Sequence, residues 1–277
     1  MKTISADKIK KTVSELSIEA NLVLRKDILA KLKSAHLTVR GKYAKDILQA
    51  IVQNASVARR EKLAICQDTG LPCVFLEVGQ DVRIKGDLKK AVNQGIESGY
   101  KKGYFRSSVI NDPLLRGKSA FGPAIIHTDI VKGDKLKITV LPKGFGCENK
   151  TQLKMFKPTV ELDEIKKFII NVVKVAGPDA CPPYVVGVGI GGTADYACFL
   201  AKKALLRRID QRLQTKDHRL EDELLGEINK LNIGPMGLGG KPTALALNLE
   251  KYPTHIAGLP VAVNISCHAL RSASKIL

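Results

Sequence analysis

The sequence predicts an α+β fold, in which a helical N-terminal layer over residues 1–60 precedes a mixed β-sheet domain with flanking helices. Over the first 60 residues, apolar side chains recur at intervals of three and four, which is typical of amphipathic helices. Over 61–277, short apolar runs bounded by Gly, Pro and Asp alternate with amphipathic stretches, which indicates strands and helices in alternation. A single domain over residues 1–277 is therefore expected.

The same periodicities place the individual elements. Helices of the N-terminal layer are predicted within 21–37 and 43–65. Strands are predicted at 73–78, 123–131, 135–142, 183–190 and 259–266. Later helices are predicted at 87–102, 161–177, 193–209 and 218–232. Some strands follow one another without a helix between them, which argues against a regular doubly wound sheet, and the charged stretch 212–222 is expected to be a surface crossover.

Composition limits the classes of function. The chain has 277 residues and a formal net charge of +18. Its N-terminus lacks the features of a signal peptide and no apolar run is long enough to cross a bilayer, so the cytoplasm is the expected location. The basic charge fits a nucleic-acid-binding protein, but the lysines and arginines are scattered and no recognition motif accompanies them. An anionic substrate or an acidic partner chain would be attracted equally well.

Six cysteines are present, and none forms a CxxC pair. In a reducing compartment such thiols serve metals, chemistry or packing more often than disulfides. Cys66, Cys181 and Cys267 each lie at the end of a predicted segment, where loops can converge on a site. Cys73 and Cys198 lie inside predicted regular elements, which favours a packing role. The role of Cys147, in a glycine-rich loop, stays open.

Two further features are weaker signals. The stretch "GVGIGG" at 187–192 matches a dinucleotide-binding fingerprint, but the acidic residue expected after the next strand is missing, so nicotinamide cofactor binding is not favoured. His255 and His268 flank the predicted strand that ends before Cys267. Either imidazole is suited to proton exchange near neutral pH, although a lone histidine is more often structural.

Taken together, the motifs carry a family resemblance. They are "CQDTG", "KGFGCENKT", "ACPPY", "GIGGTAD", "GPMGLGGKPTALAL" and "GLPVAVNISCHALR". In this order they resemble the α subunit of two-subunit class I fumarate hydratases and L-tartrate dehydratases, over nearly the whole chain. Phe145 and Cys147 depart from the common loop "KGGGSANKT", where glycine and serine stand.

The resemblance implies a [4Fe-4S] cluster held by Cys66, Cys181 and Cys267. Three protein thiolates leave one iron without a cysteine, and this iron can accept the hydroxyl and carboxylate oxygens of a small dicarboxylate. A Lewis-acidic iron makes hydroxide a better leaving group. The implied reaction is therefore the reversible removal of water from a dicarboxylate.

The resemblance also implies the roles of individual residues. Asp68 and His255 are expected to be catalytic. The expected substrate contacts are Gln67, Asp68, Arg106, Gly146, Asn149, Lys150 and Thr151. Arg106 is expected to bind a substrate carboxylate, because a guanidinium offers two parallel N–H donors to it.

One-chain members of the family carry a second domain to which nothing here corresponds, so the resemblance implies a separate β subunit and an α2β2 assembly. The first hypothesis is hydration of fumarate to (S)-malate. Its close alternative is an L-tartrate dehydratase that forms oxaloacetate, and its distant alternative is a basic nucleic-acid-binding protein. No nucleic acid or membrane partner is expected under the first two.

Overall fold

The computed structural model describes residues 2–210 and 217–277. In chain order, the elements are β1 (Lys2–Ser5), α1 (Ala6–Leu22), α2 (Lys26–Thr38), α3 (Lys42–Glu61), β2 (Leu71–Gly79), β3 (Val82–Lys85), α4 (Leu88–Lys102), β4 (Val109–Asp112), β5 (Arg116–Ala120), β6 (Ile125–Val131), β7 (Leu136–Lys143), α5 (Phe145–Glu148), β8 (Gln152–Phe156), α6 (Leu162–Ala176), β9 (Tyr184–Gly192), α7 (Ala194–Ala204), α8 (His218–Lys230), a 3₁₀ turn (Pro235–Gly237), β10 (Ala244–Thr254), β11 (Leu259–Ser266) and β12 (Ala273–Ile276). Three helices occupy most of residues 6–61, and strands and helices mix thereafter, so the predicted α+β class is confirmed.

The chain divides into two compact units. Unit one comprises residues 2–25, 55–145 and 271–277, and unit two comprises 26–54, 146–210 and 217–270. That residues 1–277 form a single domain stays a prediction. The first part of the predicted crossover at 212–222 lies outside the described residues, and its last part is the start of α8. None of the described helices has the length and apolarity needed to cross a membrane.

Unit one is built on a four-stranded mixed sheet in the order β12–β7–β2–β6. Strands β2 and β6 are parallel, and the other two pairs are antiparallel. Helices α1 and α4 cross so closely that a Cβ atom at Gly95 would lie 2.7 Å from the carbonyl oxygen of Lys10. Both helices begin at a side-chain cap: Ser5 accepts the N–H of Lys8, and Asp87 accepts the N–H of Lys90.

Unit two is built on a second four-stranded mixed sheet in the order β10–β9–β11–β8. Side chains alternate across β9 with a period of two. Val186 and Val188 point into the core that contains α6 and α8. On the other face, a Cβ atom at Gly187 or Gly189 would lie 2.1 Å from a carbonyl oxygen of α7. Gly187 and Gly189 of "GVGIGG" therefore serve close helix–sheet packing.

Candidate active site

The CQDTG turn, residues 66–70, joins α3 to β2 in unit one. Gly70 has φ +76°, and a Cβ atom there would lie 2.7 Å from the carbonyl carbon of Pro142 and 2.8 Å from the nitrogen of Lys143. Only glycine fits this conformation and this space. The turn therefore lies directly against the end of β7, and its direction is fixed by the backbone.

Asp68 is the most firmly held of the predicted site residues. Its Oδ1 accepts the backbone N–H of Gly70 at 2.9 Å, and its Oδ2 accepts that of Phe145 at 2.8 Å. The buried guanidinium of Arg271 donates from Nη2 to the carbonyl oxygen of Asp68. Two backbone N–H donors, one on each oxygen, hold the carboxylate in one orientation. The structure thus presents a partly exposed, oriented carboxylate.

Two neighbours of Asp68 in the turn carry polar side chains that reach solvent. Cys66 is partly exposed and Gln67 is exposed. The Cys66 thiol donates to Oε1 of Gln67, with a distance of 3.4 Å between the sulfur and the oxygen. A thiol, an amide and a carboxylate are therefore accessible together on one short segment.

Arg106 is joined to the turn through its backbone. The hydroxyl of Thr69 donates to the carbonyl oxygen of Arg106 at 2.9 Å. The guanidinium of Arg106 is exposed and makes no hydrogen bond or ion pair with any residue in 2–210 or 217–277. An arginine in this state is available to an anionic ligand.

Tyr100 supports the same turn from inside unit one. Its hydroxyl donates to the carbonyl oxygen of Thr69 at 2.8 Å and lies 3.4 Å from that of Gly70. Burial raises the pKa of Tyr100 far above its ordinary value. The hydroxyl therefore keeps its proton, and remains a donor to the turn, throughout the ordinary pH range.

In unit two, Cys181 and Cys267 are brought together through His268. The carbonyl oxygen of Cys181 accepts the backbone N–H of His268 at 3.4 Å and lies 3.1 Å from its Nδ1. Cys267 immediately precedes this histidine and follows the last residue of β11. Cys181 has φ +55°, a conformation that non-glycine residues seldom adopt. That Cys181 and Cys267 bind a common cluster stays a prediction.

The other cysteines differ from the three predicted ligands. None of the six is in a disulfide. Cys73 and Cys147 are buried, and the Cys147 thiol donates to the carbonyl oxygen of Ala180 at 3.3 Å. Burial raises the pKa of Cys198, which keeps its thiol protonated near neutral pH. The open question about Cys147 is thus answered in favour of packing beside the Cys181 segment.

Two of the four predicted substrate contacts at 146–151 are engaged with their own chain. Lys150 Nζ lies 2.9 Å from Oδ2 of Asp179, and Thr151 Oγ1 accepts the side-chain amide of Asn264 at 2.8 Å. Gly146 and Asn149 are exposed. Substrate contact by Gly146, Asn149, Lys150 and Thr151 stays a prediction.

His255 lies in the exposed turn between β10 and β11, where its Nδ1 accepts the N–H of Ala257 at 3.1 Å. It precedes β11, whereas Cys267 follows it. Eight residues of strand separate the two ends, which corresponds to about 25 Å at the usual rise per residue. The catalytic role of His255 stays a prediction, and His268 is the histidine that contacts the Cys181 segment.

Sequence reasoning missed Arg271 and Tyr100 as supports of the turn. Arg271 stands four positions after Cys267 in the motif "CHALR", so its place in the motif was the available signal. Nothing in the sequence indicates that its side chain is buried. Tyr100 lies in an amphipathic helix 30 residues after the turn, and periodicity predicts a core position for it rather than a hydrogen bond to Thr69.

Two features of the described residues bear on ligand binding. Within 2–210 and 217–277, no three His, Cys, Asp or Glu side chains are grouped closely enough to hold a metal ion. A cavity of about 850 Å³ lies in unit two between the α2–α3 connection and residues 238–245. It is lined by the cations of Lys31, Arg40, Lys42 and Lys241, and by none of the predicted site residues. This cavity is separate from the residues that carry the predicted chemistry.

Comparison with known proteins identifies the family of the chain. Residues 10–275 match the family model described as Fumarate hydratase (Fumerase). This match covers nearly the whole chain, and the chain therefore belongs to the fumarate hydratase family. The family resemblance inferred from the six motifs is confirmed.

Relatives with more specific names are similar over almost their full length. A protein of Methanocaldococcus jannaschii described as "Putative L(+)-tartrate dehydratase subunit alpha" is 40% identical over 277 residues, with 97% of each chain covered. The L(+)-tartrate dehydratase subunit alpha of Escherichia coli K12 is 28% identical over 278 residues, which cover 99% of this chain and 92% of that protein. These names support hydro-lyase chemistry. They favour the tartrate alternative over the fumarate hypothesis, which they do not confirm.

Proposed function

We propose that this chain is the α subunit of an iron–sulfur hydro-lyase. Together with a β subunit, it removes water from L-tartrate and so forms oxaloacetate. The observation that carries the proposal is the arrangement around the CQDTG turn. The Cys66 thiol there is partly exposed, and the Asp68 carboxylate is held by two backbone N–H groups. The backbone of Arg106 is bound to the same turn through Thr69, and its guanidinium has no partner in 2–210 or 217–277. This set offers a soft metal ligand, a proton-transfer group and an anion-binding group.

Tartrate is placed before fumarate because of the relatives. The protein at 40% identity and the Escherichia coli proteins at 28–29% identity are all named as tartrate dehydratase α subunits. Fumarate hydration is the second candidate, because the family model itself carries that activity in its description. Both substrates are four-carbon dicarboxylates and require the same carboxylate-binding groups.

The proposed cofactor is a [4Fe-4S] cluster bound by Cys66, Cys181 and Cys267. These three thiols fit the group chemically, since they are partly exposed and lie at segment ends, and thiolate is the usual ligand of iron–sulfur clusters. When bound, the cluster supplies a Lewis-acidic iron that polarises the leaving hydroxyl.

The proposed roles of the chain's own residues follow from their surroundings. Asp68 exchanges the proton on the carbon next to the departing hydroxyl, because its carboxylate is oriented and accessible. Arg106 binds a substrate carboxylate through its guanidinium. Gln67 donates its amide N–H to the bound acid. His255 and Lys150, with Gly146, Asn149 and Thr151, are proposed as further groups of the site.

The proposed partner is a β subunit in an α2β2 assembly. The relatives are named as α subunits, which implies a second kind of chain. The net charge of +18 would favour association with an acidic partner surface. Neither nucleic acid nor a membrane is part of the proposed function.

The deciding experiment is anaerobic reconstitution of the α and β subunits with iron and sulfide, followed by kinetics on L-tartrate, D-tartrate, fumarate and mesaconate. We expect kcat/KM to be highest for L-tartrate, by about tenfold or more over fumarate, since specificity is a difference in transition-state binding. A preference for fumarate would restore the first hypothesis. Turnover of none of the four by an iron-loaded complex would refute the proposed function.

A further inference from the structure

Arg271 is a cation buried in unit one. It lies just before β12, and 3% of its surface is exposed. Arginine is almost never buried to this extent unless its charge is paired. Arg271 forms no ion pair with a carboxylate anywhere in the described chain, 2–210 and 217–277. The reason for its burial must therefore be found in its other contacts.

The single acceptor that Arg271 reaches among the described residues is the backbone carbonyl oxygen of Asp68, which its Nη2 contacts. Its Nε and Nη1 are buried and have no hydrogen-bond partner within the same residues. Leaving donors of a buried cation without partners is costly, so such a group persists when it serves a specific purpose. Among residues 2–210 and 217–277, the hydrogen bond of the guanidinium is directed at the residue that carries the proposed proton-transfer group.

The contact completes the support of the CQDTG turn. The side chain of Asp68 is held by Gly70 and Phe145, and the carbonyl oxygen of Thr69 is held by Tyr100. Without Arg271, the peptide between residues 68 and 69 would lose its side-chain donor and would be freer to rotate. Such a rotation would strain the two hydrogen bonds that orient the Asp68 carboxylate and would shift the adjoining 66–67 segment.

We propose that Arg271 is a positioning residue that fixes the CQDTG turn by binding the Asp68 carbonyl group, and so sets the direction of the Asp68 carboxylate and the Cys66 thiol. The expected effect of Arg271 on turnover rests on the proposed function. The hold on the turn itself is independent of that function, since it is a property of the chain without iron.

The first test uses the full-length iron-free chain. Wild type, Arg271→Lys and Arg271→Met are treated briefly with iodoacetamide, and alkylation of each cysteine is followed by mass spectrometry. In Arg271→Met we expect the alkylation rate at Cys66 to rise about tenfold and the rate at Cys198 to stay unchanged. Tenfold is the lower end of the change in affinity or activity that follows loss of a supporting hydrogen bond at metal sites. The Lys variant should give a smaller rise, because an ammonium group can still reach one carbonyl oxygen.

Lys275→Met is the matched control. Lys275 lies on β12, four positions further along, and its exposed side chain pairs with Glu15 at 3.1 Å. This variant should alkylate at the wild-type rate. If the Cys66 rate in folded Arg271→Met stays within about twofold of wild type, the positioning role is wrong. If Arg271→Met does not fold, the Cys66 alkylation rate of Arg271→Lys decides by the same criterion. A uniform rise in alkylation rate at all cysteines of that variant would assign Arg271 a general packing role and overturn the proposal.

The second test uses the reconstituted complex with β subunit. A positioning residue should change turnover more than binding, so Arg271→Lys is expected to lower kcat by about tenfold and to change KM by less than about threefold. A rise in KM with unchanged kcat would overturn positioning in favour of direct substrate contact. If wild-type complex is inactive on every substrate, the proposed function fails, and the alkylation result still decides whether Arg271 holds the turn.

Discussion

The two units hold their predicted site residues by different kinds of interaction. In unit one, Asp68 is held by backbone N–H groups, and the carbonyl oxygen of Arg106 accepts the Thr69 hydroxyl. In unit two, Lys150 is held by a carboxylate, Asp179, whose side chain is 66% exposed. Main-chain donors thus fix Asp68 in unit one, whereas the side chain of an exposed carboxylate fixes Lys150 in unit two.

This difference has consequences for ligand binding. Exposed ion pairs contribute little to stability and are weakened by salt, so a ligand carboxylate can compete with Asp179 for Lys150. The Asp68 carboxylate has no such freedom, because displacing it would leave the N–H groups of Gly70 and Phe145 without their acceptor. Unit one therefore offers a preformed arrangement, whereas unit two offers groups that a ligand can rearrange.

The largest expected effect comes from the cysteines, which both units contribute. Replacing Cys66, Cys181 or Cys267 by Ser should abolish cluster retention and reduce turnover to background, because a hydroxyl is a far poorer ligand for iron than a thiolate. The measurements are iron and sulfide content after anaerobic reconstitution, and turnover of L-tartrate.

Cys198→Ser is the control for this series. Cys198 lies in α7, and burial raises the pKa of its thiol. This variant should retain wild-type iron content and activity. If Cys66→Ser binds iron normally, unit one is not part of the proposed cluster site. If Cys181→Ser does so, Cys181 of unit two is not part of it.

The next largest effect is expected at the carboxylate of unit one. Asp68→Asn should keep the iron content and lower kcat by about 10²-fold, the usual contribution of a group that transfers a proton. The new amide would also place a donor opposite the N–H of Gly70 or Phe145, which disturbs the orientation that those hydrogen bonds impose.

The same substitution in unit two serves for comparison. Asp179→Asn removes the charge that pairs with Lys150 and should change kcat and KM by less than about threefold, as is usual for exposed pairs. Near-normal turnover of Asp68→Asn would refute its proton-transfer role. Equal effects of the two substitutions would abolish the distinction between the units.

Much of the fold was predictable because buried strands have a strong sequence signal. All five predicted strands are present, as β2, β6, β7, β9 and β11. The missed strands include β5 and β8, whose sequences, "RGKSA" and "QLKMF", are short and mostly exposed. Their conformation depends on pairing with partners elsewhere in the chain, and local composition does not report that.

The site was predictable where a motif carries chemistry and unpredictable where geometry decides. The order of the motifs indicated Cys66, Asp68 and Arg106, and their roles stay predictions. For His255, closeness in sequence to Cys267 carries little information about distance, because the eight residues of β11 lie between them. Arg271 was missed because an arginine is expected at the surface, and only the fold brings its guanidinium to the Asp68 carbonyl oxygen.

The smallest expected effect is on KM alone, and it distinguishes Arg106 of unit one from Lys150 of unit two. Arg106→Lys should raise KM by about tenfold and leave kcat nearly unchanged, because a point charge cannot reproduce the two parallel hydrogen bonds of a guanidinium. Lys150→Arg is the matched change in unit two. It preserves the pairing with Asp179 and should alter KM by less than about threefold. Should Lys150→Arg raise KM more than Arg106→Lys does, the substrate carboxylate is bound chiefly by unit two, and unit one retains only the proposed thiolate and proton-transfer roles.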